Sequence, residues 1–264
     1  QTCALPIWTT FNGQEVDVAH ACGHDVHVAI ALGMAQALST IKDQLPGTIV
    51  FIFQPSEEGA PAGEEGGAAL MLKENLFGNL KPTAVFGLHA NAETPVGKVG
   101  FVPGPINATS TTFNIVIKGK QSHGAFPQFS IDPVVMASQA VMALQTIRSR
   151  NLSTFEPAVV SVTQLIGGVR NNIIPAEVRM VGTARAFSND TLEQIQTRMR
   201  EILDGTTKAA GGSFTLSFEG YGPVNKNDDK LTVRSVPLLE KTLGKENVRQ
   251  TEPLMAAEIG RAHV

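Results

Sequence analysis

Three of the chain's six histidines, one of its two cysteines and an aspartate fall within the eight residues His20-Ala21-Cys22-Gly23-His24-Asp25-Val26-His27. A thiolate, imidazoles and a carboxylate this close together make a donor set suited to a borderline transition metal such as Zn²⁺. The alternative is a helix start whose polar residues happen to be histidines, but such groups are costly near a core unless they have partners. Further along, Glu57-Glu58 follows one apolar run and His89 ends another. Neighbouring side chains on an extended chain point apart, so the two glutamates are expected to do different work. One can bind a metal ion while the other takes a proton from an attacking water that the ion has acidified. A solvated acidic loop is the competing explanation, of which Glu64-Glu65 is an example in the same region.

These residues need elements to position them. Val28, Ala31, Leu32, Ala35 and Leu38 recur at helical spacing, so the cluster is expected at the start of a helix running to about Lys42. The positive end of a helix favours the thiolate form of a cysteine. Residues 9–18 read as a polar lead-in, 48–53 as a strand buried on both faces, 66–76 as a helix and 84–89 as a second strand. In one parallel sheet the ends of those two strands would bring Glu57-Glu58 and His89 together with the cluster. From about residue 111 the pattern changes, with strands at 112–118, 158–165, 177–186 and 213–218 and helices at 133–148 and 192–203. That order, β-α-β-β-α-β, describes a ferredoxin-like unit inserted into the first domain, to which the chain returns near Val224. Within it, His123 could stabilise an oxyanion, and Asn172 and Arg185 could hold a substrate carboxylate. Spacing alone does not favour these roles over a loop histidine, a turn asparagine and a solvated strand arginine.

Composition narrows the classes. The 264 residues allow one large domain or two ordinary ones, and 42% hydrophobic with 17% charged residues describes a chain able to bury a sizeable core. A net charge of −3 gives no reason to expect nucleic acid or an anionic membrane as partner, and no apolar run reaches the length of a membrane span. The ends look foreign: residues 1–7 and 258–264 back-translate to strings that are reverse complements over most of their length and match a common sequencing-library adapter. They are therefore set aside as adapter read in frame, as a tag would be. No signal peptide is legible, and with that N-terminus the compartment stays open. Without Cys3, Cys22 forms no intramolecular disulfide and is a buried apolar residue, a ligand or a nucleophile.

The motifs HACGHDVH, FQPSEEG, GLH, GKQSHGAFP, NNIIP and GTAR, in that order, resemble the aminoacylase and carboxypeptidase-type metallopeptidase family. Within it they are most similar to the amidohydrolase branch of hippurate hydrolase, N-acyl-amino-acid amidohydrolases and indole-acetyl-amino-acid hydrolases. The resemblance implies an α/β fold with a two-metal aminopeptidase-like catalytic domain and an inserted ferredoxin-like α+β lid domain that forms a homodimer. The implied division is residues 8–108 and 221–257 for the catalytic domain and 109–220 for the lid. The implied activity is metal-dependent hydrolysis of N-acyl amino acids. Carried over by position, Cys22, His24, Glu58 and His89 would be ligands to two divalent ions (Zn, Mn or Co), with the Cys22 thiolate bridging them. Glu57 would be the general base, His123 the oxyanion stabiliser, often serving the partner subunit's site, and Asn172 with Arg185 the carboxylate clamp. Asp25 and His27 are left unassigned by that pattern, as residues that orient ligands or start the helix.

Two departures from that pattern stand out. Cys3 occupies the place of the aspartate in the family's Met-Asp-Ala-Leu-Pro segment, and the pattern stops after Met255-Ala256-Ala257, before a Glu-Asp-Phe segment and a last histidine ligand. His263 is not that ligand, so the chain as given is expected to be catalytically crippled. Two rivals are carried beside the hydrolase: a non-catalytic metal- or ligand-binding member, and a cysteine hydrolase with Cys22 as nucleophile and His24 as base. Two residues apart at a helix start is a poor geometry for that pair.

Overall fold

Gly13, at φ 77, turns Ile7–Phe11 (β1) back onto Gln14–Val18 (β2) as an antiparallel hairpin. Asn12-Gly13 is the sequence that favours a two-residue hairpin turn, so the expected polar lead-in is corrected to a β-ribbon. The computed structural model describes residues 7–11, 13–19, 22–58, 60, 64–220 and 223–256. His20 and Ala21 of the cluster, Gly59, Ala257 and the two terminal stretches read as adapter (Ile7 excepted) lie outside the described residues. Among the described residues the chain divides into two compact units, one reaching to Phe101 and joined by Thr232–Thr251, the other Val102–Leu231 joined by residues 252–256.

In the first unit, β1 and β2 lead to α1 (His24–Ser39), α2 (Gly67–Lys73) and β3 (Val99–Phe101). α1 forms where the periodicity placed it, yet no residue of it is buried, and Val28, Leu32 and Met34 are exposed. The buried strands expected at 48–53 and 84–89 are not found: neither stretch joins a β-ladder, and Val50 is 53% and Phe86 72% exposed. A β-branched run becomes a strand only when a neighbour takes up its N–H and C=O groups, and no described strand of this unit pairs with either stretch. Ala68 and Val248 are the only buried hydrophobic residues among the described residues of this unit.

The second unit holds the core. Its elements are β4 (Gly104–Asn107), β5 (Thr109–Lys118), β6 (Ser122–His123), α3 (Pro133–Leu144) and β7 (Ala158–Gly167), then β8 (Ile173–Ile174), β9 (Glu177–Ala186), α4 (Asn189–Ala209), β10 (Ser213–Glu219) and β11 (Asn225–Asn227). Four strands form an antiparallel sheet in the order β10-β5-β9-β7, and with α3 and α4 they follow one another as β-α-β-β-α-β. Small antiparallel sheets pair β4 with β11 and β6 with β8. Alternate residues of β5 and β9 (Phe113, Ile115, Ile117, Val178, Met180) share one core with Met136, Ala140 and Leu144 of α3 and Leu192, Ile195, Met199 and Leu203 of α4. Periods of two and of about 3.6 thus meet on one buried layer. Gly182 permits a close approach, since a Cβ there would collide with the Phe113 ring and the Ser161 carbonyl.

Both helices are capped from outside. Asp132 accepts the Val134 and Val135 amides at 2.9 and 3.3 Å, with Pro133 at the first helical position, and Ser188 accepts the Thr191 amide at 3.1 Å. The helix expected to reach Arg148 stops at Leu144 and passes into a π-type turn at Ile147–Asn151. α5 (Asp229–Leu243) begins in the second unit and ends in the first, where β12 (Val248–Gln250) lies parallel to β3.

Leu203, fully buried on α4, is a direct test of where stability resides. Leu203→Ala should lower the unfolding free energy by about 2–5 kcal/mol in a urea titration followed by circular dichroism. Met142→Ala, at a position 72% exposed on α3, should change it by no more than about 0.5 kcal/mol.

Candidate metal centre

Everything at this site turns on the start of α1. Gly23 occupies the N-cap with φ 83 and ψ 15, and a Cβ there would stand 3.3 Å from the Ala90 Cβ. A larger residue would be both strained and crowded. The Gly23 carbonyl accepts the Val26 and His27 amides at 3.1 and 3.2 Å, opening the helix directly after Cys22. His24 and His27 are three residues apart and share a helix face, with ring centroids 5.4 Å apart. The ring of His89 lies 5.5 Å from the first and 4.6 Å from the second.

The glutamates arrive on a constrained segment. Ser56 has φ 50, uncommon for a residue with a side chain. The Pro55 carbonyl just before it accepts the Gly67 amide at 2.8 Å, and a Cβ on Gly66 would come within 2.8 Å of the Ser56 Cβ. Residues 57 and 58 lie in a turn, so the expectation that their side chains diverge is corrected. Both carboxylates face one imidazole: Glu57 Oε2 is 3.7 Å from His24 Nε2, and Glu58 Oε1 is 3.9 Å from His24 Nδ1. They differ in exposure, with 16% of the Glu57 side chain accessible against 68% of Glu58.

On the other side, His89 Nε2 stands 3.5 Å from Cys22 Sγ and His89 Nδ1 stands 2.6 Å from the Ala90 carbonyl oxygen. A carbonyl only accepts, so Nδ1 carries the proton and Nε2 presents its lone pair, the form in which imidazole binds metals. Cys22 is exposed, which removes the option of a buried apolar cysteine. The imidazole 3.5 Å from its sulfur is that of His89, not of His24 as the cysteine-hydrolase rival supposed.

Among the described residues two donor trios result, Cys22 with His24 and His89, and His24 with Glu57 and Glu58, each with ligand atoms within 4.8 Å of one another. Ligand atoms about 2.0–2.3 Å from a tetrahedral ion lie about 3.3–3.8 Å apart, which the 3.5 Å between sulfur and imidazole matches. Thiolate, imidazole and carboxylate are also the right chemistry for a borderline divalent ion, so the residues present fit such a group. One participant was not assigned from sequence: His27 Nε2 accepts the Ala90 amide at 2.8 Å. Its spacing from His24 was visible in the motif, but its partner is a backbone group 63 residues away, which no side-chain pattern records.

The remaining expected site residues belong to the second unit. His123, on β6, pairs across to Ile173, and its Nδ1 accepts the Ala125 amide at 3.0 Å. The Gly124 amide donates to the Asn172 carbonyl at 2.8 Å, so the loops bearing His123 and Asn172 are stitched together. Arg185, on β9, instead donates from Nη1 to the Met255 carbonyl at 3.2 Å.

The chain as a whole is similar to known proteins. N-acetylcysteine deacetylase of Bacillus subtilis is 38% identical over 229 residues, covering 85% of this chain and 58% of that protein. The Arabidopsis thaliana IAA-amino acid hydrolase ILR1-like 2 is 38% identical over 245 residues, covering 90% of this chain and 53% of that protein. Among solved structures, the Bacillus subtilis YxeP protein, a dinuclear metal-binding peptidase from the M20 family, is 31% identical with a TM-score of 0.73, over 96% of this chain and 64% of that one. The chain thus spans between half and two thirds of the length of these relatives. The family model of peptidase family M20/M25/M40 matches residues 4–262, running into both terminal stretches set aside above. With motifs, fold and family model in agreement over nearly the whole sequence, the chain belongs to peptidase family M20/M25/M40.

Proposed function

We propose that the full-length protein hydrolyses the amide bond of N-acyl amino acids with the aid of two divalent metal ions. The observation that carries the proposal is the sharing of His24 between a thiol-bearing trio and a carboxylate-bearing trio, two adjoining donor sets that suit two ions better than one. In this reading Cys22, His24, Glu58 and His89 are the ligands. The ions, when bound, polarise the scissile carbonyl and acidify the attacking water. Glu57, the less exposed carboxylate, takes the proton from that water and delivers it to the leaving nitrogen. His123 donates to the carbonyl oxygen as it becomes negative, and Asn172 and Arg185 hold the substrate carboxylate.

The named relatives support the substrate class in what they share, an amino acid released from its N-acyl group. They differ in the acyl group itself, acetyl in one and IAA in the other. The acyl preference of this chain is therefore assigned to surfaces outside the ligand set. Residues 109–220 serve as the lid domain through which two copies dimerise, with 8–108 and 221–257 forming the catalytic domain. The β-α-β-β-α-β unit, which buries its own core, supports that division.

A cysteine-hydrolase reading retains one specific support, the 3.5 Å between Cys22 Sγ and His89 Nε2. Dialysis against a chelator separates the two. The metal reading expects N-acyl-amino-acid hydrolysis to disappear and to return with added Zn²⁺, Mn²⁺ or Co²⁺, whereas a thiol nucleophile would survive the treatment.

Glu57→Gln should lower kcat by about 10²–10⁴-fold while elemental analysis finds the metal content unchanged. Loss of the metal together with activity would make Glu57 a ligand instead. Arg185→Lys, which forfeits the two-pronged contact with a carboxylate, should raise KM about tenfold or more with a smaller effect on kcat. An unchanged KM would remove Arg185 from the clamp.

A further inference from the structure

His27 belongs to neither donor trio, yet it lies among the rings that do. Its Nε2 accepts the Ala90 amide at 2.8 Å, and the carbonyl of the same Ala90 accepts from His89 Nδ1 at 2.6 Å. The two imidazoles stand nearly perpendicular, at 76°. Ala90 is therefore gripped by both of its backbone groups, by one histidine from α1 and by the histidine that precedes it in sequence. The result is a relay of position. α1 sets His27, His27 holds the amide of the peptide joining His89 to Ala90, and the Ala90 carbonyl, in the next peptide plane, sets the rotation and tautomer of the His89 ring. His89 Nε2 is left pointing at Cys22 Sγ, 3.5 Å away.

We infer that His27 is a positioning residue for the metal centre, fixing His89 in its ligating tautomer and orientation through the Ala90 backbone. The inference rests on the metal reading proposed above. A backbone amide accepted by the imidazole also fixes His27 itself, because the nitrogen facing an N–H must be the unprotonated one. That nitrogen is engaged by the amide, which separates His27 from the four proposed ligands. Partners that orient a ligating histidine are typically worth a factor of about 10–100 in metal affinity.

The test is a Co²⁺ titration of the full-length protein, wild type and variants, following the thiolate-to-cobalt absorption that Cys22 would give. His27→Gln keeps a side-chain acceptor that reaches about as far as Nε2. His27→Leu keeps the bulk without an acceptor, and His27→Asn keeps an acceptor too short to reach Ala90. The leucine and asparagine variants should raise the Co²⁺ dissociation constant about 10–100-fold and weaken the thiolate band, while glutamine recovers most of both. The metal-free variants should melt within a few degrees of wild type; if leucine fails to fold, the contrast of glutamine with asparagine decides. Wild-type affinity and spectrum in the leucine or asparagine variants would overturn the inference, as would equal loss in all three. A wild-type protein that takes up no Co²⁺ would instead overturn the metal reading, and the role of His27 with it.

Discussion

The constraint on which the proposed chemistry depends is the meeting of three distant stretches, residues 22–27, 57–58 and 89–90, within a few ångströms of the first turn of α1. Little hydrophobic burial is available to enforce it, since Ala68 and Val248 are the only buried hydrophobic residues among those described in this unit. Short-range backbone devices do the work: the left-handed Gly23 against Ala90, the left-handed Ser56 tied through Pro55 to Gly67, and the imidazole–amide contact of His27. Each fixes a direction more than it contributes bulk stability, which is what a donor set requires. Placing Glu57 and Glu58 against the same imidazole concentrates negative charge that a divalent cation would offset, so the electrostatics of the pocket and its donor chemistry point the same way.

The two units solve different problems. The second satisfies its backbone in a four-stranded ladder and buries a layer of Phe113, Ile115, Met180, Leu192 and Met199, the regime in which packing density specifies a single arrangement. The first exposes much of its apolar surface, including Val28, Leu32, Val50 and Phe86, and its described residues are ordered around polar groups. A histidine held by hydrogen bonds tolerates such surroundings better than a core leucine does, because its geometry is set by one or two directional bonds.

Legibility in the sequence follows the same division. The strand expected at 177–186 has the observed bounds, and its burial alternates residue by residue, as a period of two on a half-buried sheet requires. The runs at 48–53 and 84–89 were read as strands on composition, but composition reports a need for neighbours and does not supply them. The donors themselves, Cys22, His24, Glu57, Glu58 and His89, were legible as residue types and do come together. What is not legible is conformational, the turn at 57–58 that brings both carboxylates to His24, whereas the hairpin at Gly13 is announced by a single Asn-Gly pair that the reading as a polar lead-in passes over.

His27 and His89 show why a list of residue types stops short of a site. They are chemically identical, lie with ring centroids 4.6 Å apart, and both contact Ala90. One meets the amide and so must present a bare nitrogen to it. The other meets the carbonyl and so must present a proton, which leaves its far nitrogen bare and directed at Cys22. The different parts proposed for them therefore come from the amide and the carbonyl of one backbone residue. A change that left every donor in place but rotated the Ala90–Asn91 peptide, which carries that carbonyl, would alter the tautomer His89 offers in the proposed centre. The identity of a ligand is encoded in its side chain, but its readiness to bind is encoded in the backbone against which it rests.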